Sequence, residues 1–209
     1  TLHPNKYLML SSGQFISNQG QCASFGEGGD GYVPGEGVGA VVLKRLADAE
    51  RDGDQVYGLI KGSYLNHGGK NTGYSVPDPR AQQAAISGAL KDAKVDPAAI
   101  SYIEAHGTGT RLGDPIEIAG LASALGPRTS AQTCWIGSVK SNIGHCEAAA
   151  GIAGLTKVLL QLKHEKIVPS LHSRTLNPFI DFAATPFEVN QQLRDWPQPW
   201  HQGQPLPRI

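Results

Sequence analysis

The stretch Gly137–Leu160, GSVKSNIGHCEAAAGIAGLTKVLL, decides the fold. It reads as a short strand, a loop carrying Lys140 and His145, and a helix with hardly any polar stripe. Ala148, Ala149, Ala150, Ile152, Ala153, Leu155, Val158, Leu159 and Leu160 make it apolar all round. Such a helix is buried on every side, either in the middle layer of a larger fold or in a membrane. Gly144, Gly151 and Gly154 permit close backbone approach, while Lys157 and Lys163 interrupt any run long enough to cross a bilayer. The pattern therefore predicts a middle-layer helix. His145 falls where a loop enters its positive end, and Glu147 in its first turn, where a carboxylate is favoured.

Upstream, Cys134–Val139 is the strand entering this stretch, and SYIEA (Ser101–Ala105) is another. His106-Gly107-Thr108-Gly109-Thr110 follows at the carboxyl end of the latter, where ligands bind in open α/β sheets. Asp114, Pro115 and Glu117 read as N-cap, N1 and N3 acid of a capping box. Asp78 caps a helix that begins at Pro79 and runs to about Lys94. Gly39–Leu46 and Val56–Leu65 read as strands, joined by a short helix over Leu46–Arg51 and a turn at Asp52-Gly53-Asp54. Residues 1–35 are loop-rich. The glycines from Gly26 to Gly31 lack the Lys-Ser/Thr ending of a phosphate-binding loop and read as tight turns. Asn66–Pro79 is a long loop, Phe187–Gln191 an edge strand, and the proline-rich tail from Trp196 a surface segment.

Composition narrows the function. Eighteen basic residues balance eighteen acidic ones and no basic run occurs, which argues against nucleic acid as the main partner. Cys22, Cys134 and Cys146 have no paired or metal-type spacing, as suits a reducing cytosol. The opening TLHPNKYLML has no secretory n-region or h-region, and no stretch is long enough to cross a membrane.

His106 and His145 each follow a short strand and precede a helix, so both can converge at one end of a shared sheet. Two imidazoles there can donate hydrogen bonds to one carbonyl oxygen and stabilise an enolate. A metal site needs a third ligand, and the remaining histidines (His3, His67, His164, His172, His201) are scattered, with no HExxH or CxxC. Spacing alone leaves open that each histidine is structural.

EAHGTGTRLGDPIE (Glu104–Glu117) and GSVKSNIGHCEAAAGIAGL (Gly137–Leu155) resemble the two signature blocks of β-ketoacyl synthases, specifically polyketide synthase ketosynthase domains. GDGYVPGEGVGAVVLKRL and VPSLHSRTLNPFIDF resemble the same family. The loop NHGGKNTGYSVPDP is similar to that of modular systems served by a free-standing acyltransferase, the trans-acyltransferase type. The resemblance implies a thiolase-like α/β fold, five α-β-α-β-α layers in the intact domain, and decarboxylative Claisen condensation of an acyl chain with a malonyl-type extender. By position it implies that His106 and His145 are the catalytic histidines, and that Lys140 is the catalytic lysine, supported by a pairing with Glu147. It implies that Thr108 and Thr110 bind the phosphopantetheine arm of an acyl carrier protein. A cytoplasmic homodimer acting on acyl and malonyl thioesters is the expected setting.

Two departures matter. The family's nucleophilic cysteine lies in a Cys-Ser-Ser elbow that is absent here, and the closing glycine-rich block would follow Ile209. The expectation is a ketosynthase piece: the end of the N-terminal half over about 1–50, the C-terminal half over about 51–195, and a surface segment over 196–209. Cys146 adjoins His145 at a helix start, but neighbours along a helix do not face each other, so all three cysteines read as packing residues. The alternatives are a non-elongating scaffold or chain-passing domain, and a fatty-acid-type condensing enzyme.

Overall fold

The computed structural model describes residues 3–69, 76–127, 133–201, 204–205 and 207–209. Helices α1 (Pro4–Ser12), α2 (Leu46–Asp52) and α3 (Pro79–Ala93) precede strand β1 (Tyr102–Glu104). Helix α4 (Gly113–Leu125), strand β2 (Cys134–Gly137), and helices α5 (Lys140–Ile143) and α6 (Ala150–His164) follow. Strands β3 (Lys166–Ile167), β4 (Phe187–Val189) and β5 (Arg194–Asp195) come next, then a short hairpin that pairs Trp200 with Pro205.

The sheet that positions the site has the order β1-β2-β4 and is parallel throughout. Parallel neighbours need a crossover, and α4 supplies it between β1 and β2. Side chains alternate across the strands. Cys134, Ile136, Phe187 and Val189 face Ile118 and Leu121 of α4, with Ile86 of α3 behind them. Tyr102 and Trp135 pack on the opposite face with Ile167, Trp196, and Val158 and Leu162 of α6. Three layers result: α3 and α4, the sheet, and α6.

Helix α3 forms as its sequence predicts. The Asp78 carboxylate accepts the Arg80 N–H at 2.8 Å, Pro79 opens the first turn, and Lys94 closes the helix with φ at 53°. The capping box at Asp114 does not form, because α4 starts at Gly113, two residues before the expected Pro115, and the carboxylate is used elsewhere. Residues 4–12, expected as loop, are helical. Pro4 occupies the first turn and His3 Nδ1 accepts the Asn5 N–H at 3.2 Å. The long loop is seen only at its ends, since 70–75 lie outside the described residues.

Three further expectations are corrected. Gly39–Leu46 and Val56–Leu65 form no ladder, since a strand needs a hydrogen-bonding neighbour and none of the described residues supplies one. They lie instead against helices: a Cβ at Gly39 would touch Ile152 and one at Gly58 would touch Leu159, while Val42 and Leu65 stay almost fully exposed. Helix α6 is not buried on every side. Gly154, Lys157 and Gln161 are its buried residues, whereas Leu155 and Leu160 are exposed. Its inner face carries polar groups matched to the sheet, and no described layer covers its outer face.

The tail is not simply a surface segment either. Trp196 is 3% exposed, and its indole N–H donates to Ser101 Oγ at 3.0 Å. The Ile209 carbonyl accepts the N–H groups of Ser101 and Tyr102, and Arg208 pairs with Glu165 at 3.1 Å. The tail thus closes the free edge of β1. Apolar burial of an indole outweighs the proline-rich character of its neighbours.

Candidate functional site

Two corners leave the carboxyl end of the sheet side by side, joined by the Ala105 N–H bond to the Gly137 carbonyl at 2.9 Å. The first corner turns at Gly107, whose φ is 42°. A Cβ there would lie 2.6 Å from Ser138 Cβ on the second corner, so only glycine fits. Glu117 of α4 reaches back to this turn, accepting the His106 N–H at 2.7 Å and the Gly107 N–H at 2.8 Å. Asp114, 1% exposed, accepts the N–H groups of Phe25 at 2.8 Å and Gly109 at 3.1 Å. Burial pushes the Asp114 carboxyl up to about 6 and raises Glu117 as well. Both acids therefore brace the turn that carries His106.

The second corner runs through α5 and Gly144, with φ at 78°, into His145. Segment 33–35 grips the His145 backbone on both sides. The His145 N–H donates to the Val33 carbonyl at 2.7 Å, and the Gly35 N–H donates to the His145 carbonyl at 3.0 Å. The Tyr32 ring flanks the imidazole at 4.9 Å. His145 Nδ1 accepts the Glu147 N–H at 2.9 Å. In the neutral ring this acceptor is unprotonated, so the proton belongs on Nε2.

The two imidazoles meet, with ring centroids 5.3 Å apart and planes at 83°. His106 keeps an edge open to solvent, yet the surrounding wall desolvates it enough to lower its pKa from 6.5 to about 4, with Lys140 and then His145 as the lesser causes. Burial first, and Lys140 second, also lower His145. Lys140 is 4% exposed and is itself lowered by burial, against the opposing pull of Glu117 and Glu104. Neutral imidazoles beside a buried ammonium form an electropositive, donor-rich cleft.

The expected Lys140–Glu147 pair does not form. Glu147 takes a φ of 50°, gives its N–H to His145, and leaves its carboxylate at the surface, where Lys6 of α1 meets it at 2.8 Å. Glu147 thus supports the imidazole through its peptide rather than through its charge. Thr108 and Thr110 are half-buried with their hydroxyls 3.2 Å apart, and Thr110 Oγ1 also accepts the Gly113 N–H at 3.1 Å.

All three cysteines are buried, without disulfides. Cys22 accepts the Val33 N–H at 3.2 Å, and burial pushes its thiol up. Cys134 sits in the core of β2, and Cys146 lies against Gly35 and Gly37. Behind Cys146 opens an apolar cavity of about 700 Å³, walled by Ile152, Ala153 and Leu160 of α6. Among the described residues, no cluster of three or more metal-ligating side chains is placed to hold an ion. No described helix is long and apolar enough to cross a membrane.

Sequence reasoning missed Tyr32 and misassigned Asp114 and Glu117. The two acids follow the His106 loop closely in sequence, which was the available signal, but an acid at the start of a helix reads first as a cap. Nothing in sequence marks Tyr32 as a neighbour of His145.

The profile of the β-ketoacyl synthase C-terminal domain matches residues 57–174, and that of the N-terminal domain matches residues 1–49. The chain belongs to the β-ketoacyl synthase family, with its thiolase-like α/β fold. Its relatives are polyketide synthases. It is 62% identical over 200 residues to polyketide synthase PksL of Bacillus subtilis (strain 168), covering 95% of this chain and 4% of PksL. It is 61% identical over 201 residues to polyketide synthase ThaG of Burkholderia thailandensis, covering 95% and 4%. Among solved structures, the oxazolomycin ketosynthase domain OzmH KS7 of Streptomyces albus JA3453 superposes with a TM-score of 0.96 at 54% identity. It covers 100% of this chain and 37% of its own. The ketosynthase from module 6 of the bacillaene synthase of Bacillus subtilis 168 gives a TM-score of 0.90 at 44% identity, covering 94% and 36%. The chain thus spans little more than a third of the solved ketosynthases it matches.

Proposed function

We propose that this chain supplies the histidine pair and the lysine of a ketosynthase that performs decarboxylative Claisen condensation on carrier-bound thioesters. The observation that carries this reading is the perpendicular pairing of His106 and His145 at 5.3 Å, with the His145 proton assigned to Nε2. Two N–H donors aimed at one thioester oxygen stabilise the enolate left when carbon dioxide departs. Both rings are held neutral, so each donates without first giving up a charge. Lys140 adds a buried positive potential that favours the anion. The hydroxyls of Thr108 and Thr110 suit the amides of a phosphopantetheine arm presented by an acyl carrier protein.

The nucleophile comes from outside these residues, because Cys22, Cys134 and Cys146 are packed in the interior. Free-standing acyltransferase supply, a homodimeric parent and a cytoplasmic setting complete the proposal on the strength of the sequence resemblance. In a ketosynthase domain completed around this chain, His145→Ala should abolish extender decarboxylation, while self-acylation persists within about tenfold. Loss of acylation with decarboxylation intact would make His145 the thiol's base instead.

A further inference from the structure

The structure holds a buried charge pair that the proposed chemistry does not use. Lys157 of α6 is 8% exposed, and its Nζ lies 2.8 Å from Glu104 Oε2, off the line of a well-directed hydrogen bond. The same oxygen accepts the Tyr102 phenol proton at 2.7 Å. The other, Oε1, accepts the Val139 N–H at 2.6 Å. Two ions withdrawn from water carry a desolvation cost that their attraction seldom fully repays, so this placement asks for a reason.

The reason is visible in what the carboxylate joins. Glu104 ends β1 and stands two residues before His106. Val139 immediately precedes Lys140 and α5, which leads into His145. Helix α6 makes room at Gly154, where a Cβ would sit 3.2 Å from Glu104 Cγ. The groups that face Lys140 are Glu117 and Asp114 of α4, Glu104 of β1, Cys22 and Cys146, with His106 and His145 on the corners. Of the three carboxylates, Glu104 is the one that also holds the backbone at the start of Lys140's own helix.

We infer that Glu104, anchored by Lys157 across the space left at Gly154, is a positioning residue that sets Lys140 and the two histidine corners relative to one another. The inference rests on the reading that the corners act together. It predicts more than a strut would. A strut loses stability when broken and regains it when both charges are replaced; a positioning residue also shifts the balance between decarboxylation and self-acylation, which neutral replacement does not restore.

The test uses the full 209-residue chain and three variants: Glu104→Gln, Lys157→Met and the double variant. In Glu104→Gln the side-chain amide can still accept from Val139 and donate to the Tyr102 oxygen, but Lys157 is stranded, so thermal stability should fall. The double variant should recover it. In both, the Val139 amide proton should move upfield and the Lys140 ammonium should titrate about one pH unit lower than in the parent. In a ketosynthase domain completed around this chain, the double variant should lose decarboxylation about tenfold with self-acylation unchanged. Val139 and Lys140 signals unchanged in the double variant, or equal loss of both activities, would overturn the inference. If Glu104→Gln does not fold, the double variant carries the same readings. Failure of the histidine reading shows separately, as His145→Ala with normal decarboxylation while the Val139 and Lys140 signals still respond to Glu104.

Discussion

Nδ1 of His145 accepts the peptide N–H of Glu147 at 2.9 Å, and Glu147 adopts a left-handed φ of 50° while donating it. A non-glycine residue in that region carries a backbone cost, which the hydrogen bond and the turn together offset. The imidazole tautomer follows from a neighbour's peptide rather than from a carboxylate. Nitrogen-15 NMR of the side chain should show Nε2 protonated and Nδ1 bare at neutral pH, titrating below the ordinary 6.5. A protonated Nδ1 in the neutral ring would contradict the geometry.

Opposed titrations shape stability in acid. The folded pKa of His106 is depressed from 6.5 to about 4, so its contribution is complete above 6.5 and is lost as pH falls toward 4. Asp114 acts in reverse. Its folded pKa is raised from 3.8 to about 6, so its contribution is complete below 3.8 and is lost as pH rises through 6. His145 shares the sign of His106, and Glu117 that of Asp114. His106→Ala should therefore tilt the melting temperature toward acid, making the variant relatively more stable at pH near 4 than near 6.5. An unchanged slope between those values would count against desolvation of His106.

Glu117 tests the bracing of the first corner. Glu117→Gln turns one acceptor into a donor, so either the His106 or the Gly107 N–H loses its partner. The expected loss is about 1–3 kcal/mol in urea unfolding. Faster hydrogen exchange should be confined first to those two amides. A loss below about 0.5 kcal/mol would mean that water replaces the carboxylate without penalty.

Trp196 tests the closed edge of the sheet. Trp196→Ala should cost about 3–5 kcal/mol through the cavity it leaves. Trp196→Phe keeps much of the packing but strips Ser101 Oγ of its indole donor, and should cost about 1–2 kcal/mol. Equal and negligible effects would return the tail to the status of a surface segment.

The surface pair Lys6–Glu147 predicts little. Its partners are partly exposed, at 16% and 37% of their side chains, so high salt should remove whatever it contributes. Glu147→Gln should leave the Lys140 titration where it was. A clear shift there would restore the pairing that the geometry rejects.

What could be read from sequence was local. The two strand–loop–helix corners, the Asp78 cap and the edge strand at Phe187 are each written within a dozen residues, and each forms. What could not be read depended on distant partners. Glu147 looked like Lys140's partner because the two are neighbours in sequence, but its counterion comes from α1. The apolar residues of α6 announce that something covers them without saying what, and Lys157 looked like an interruption until Glu104 appeared opposite it. Glu117 looked like a cap because both roles place an acid in the first turn of a helix. The strands at Gly39 and Val56 have the right composition but no described ladder to join, which composition cannot report.

The backbone of His145 is held between Val33 and Gly35, and Val33 lies 112 positions earlier in the chain (145 − 33). As the chain is synthesised, its early segment must wait until the second corner emerges before either can settle. Contacts at such separation form slowly, because the intervening chain must first be ordered. The imidazole pair is therefore a late product of folding, assembled only after the segment between Val33 and His145 has been ordered.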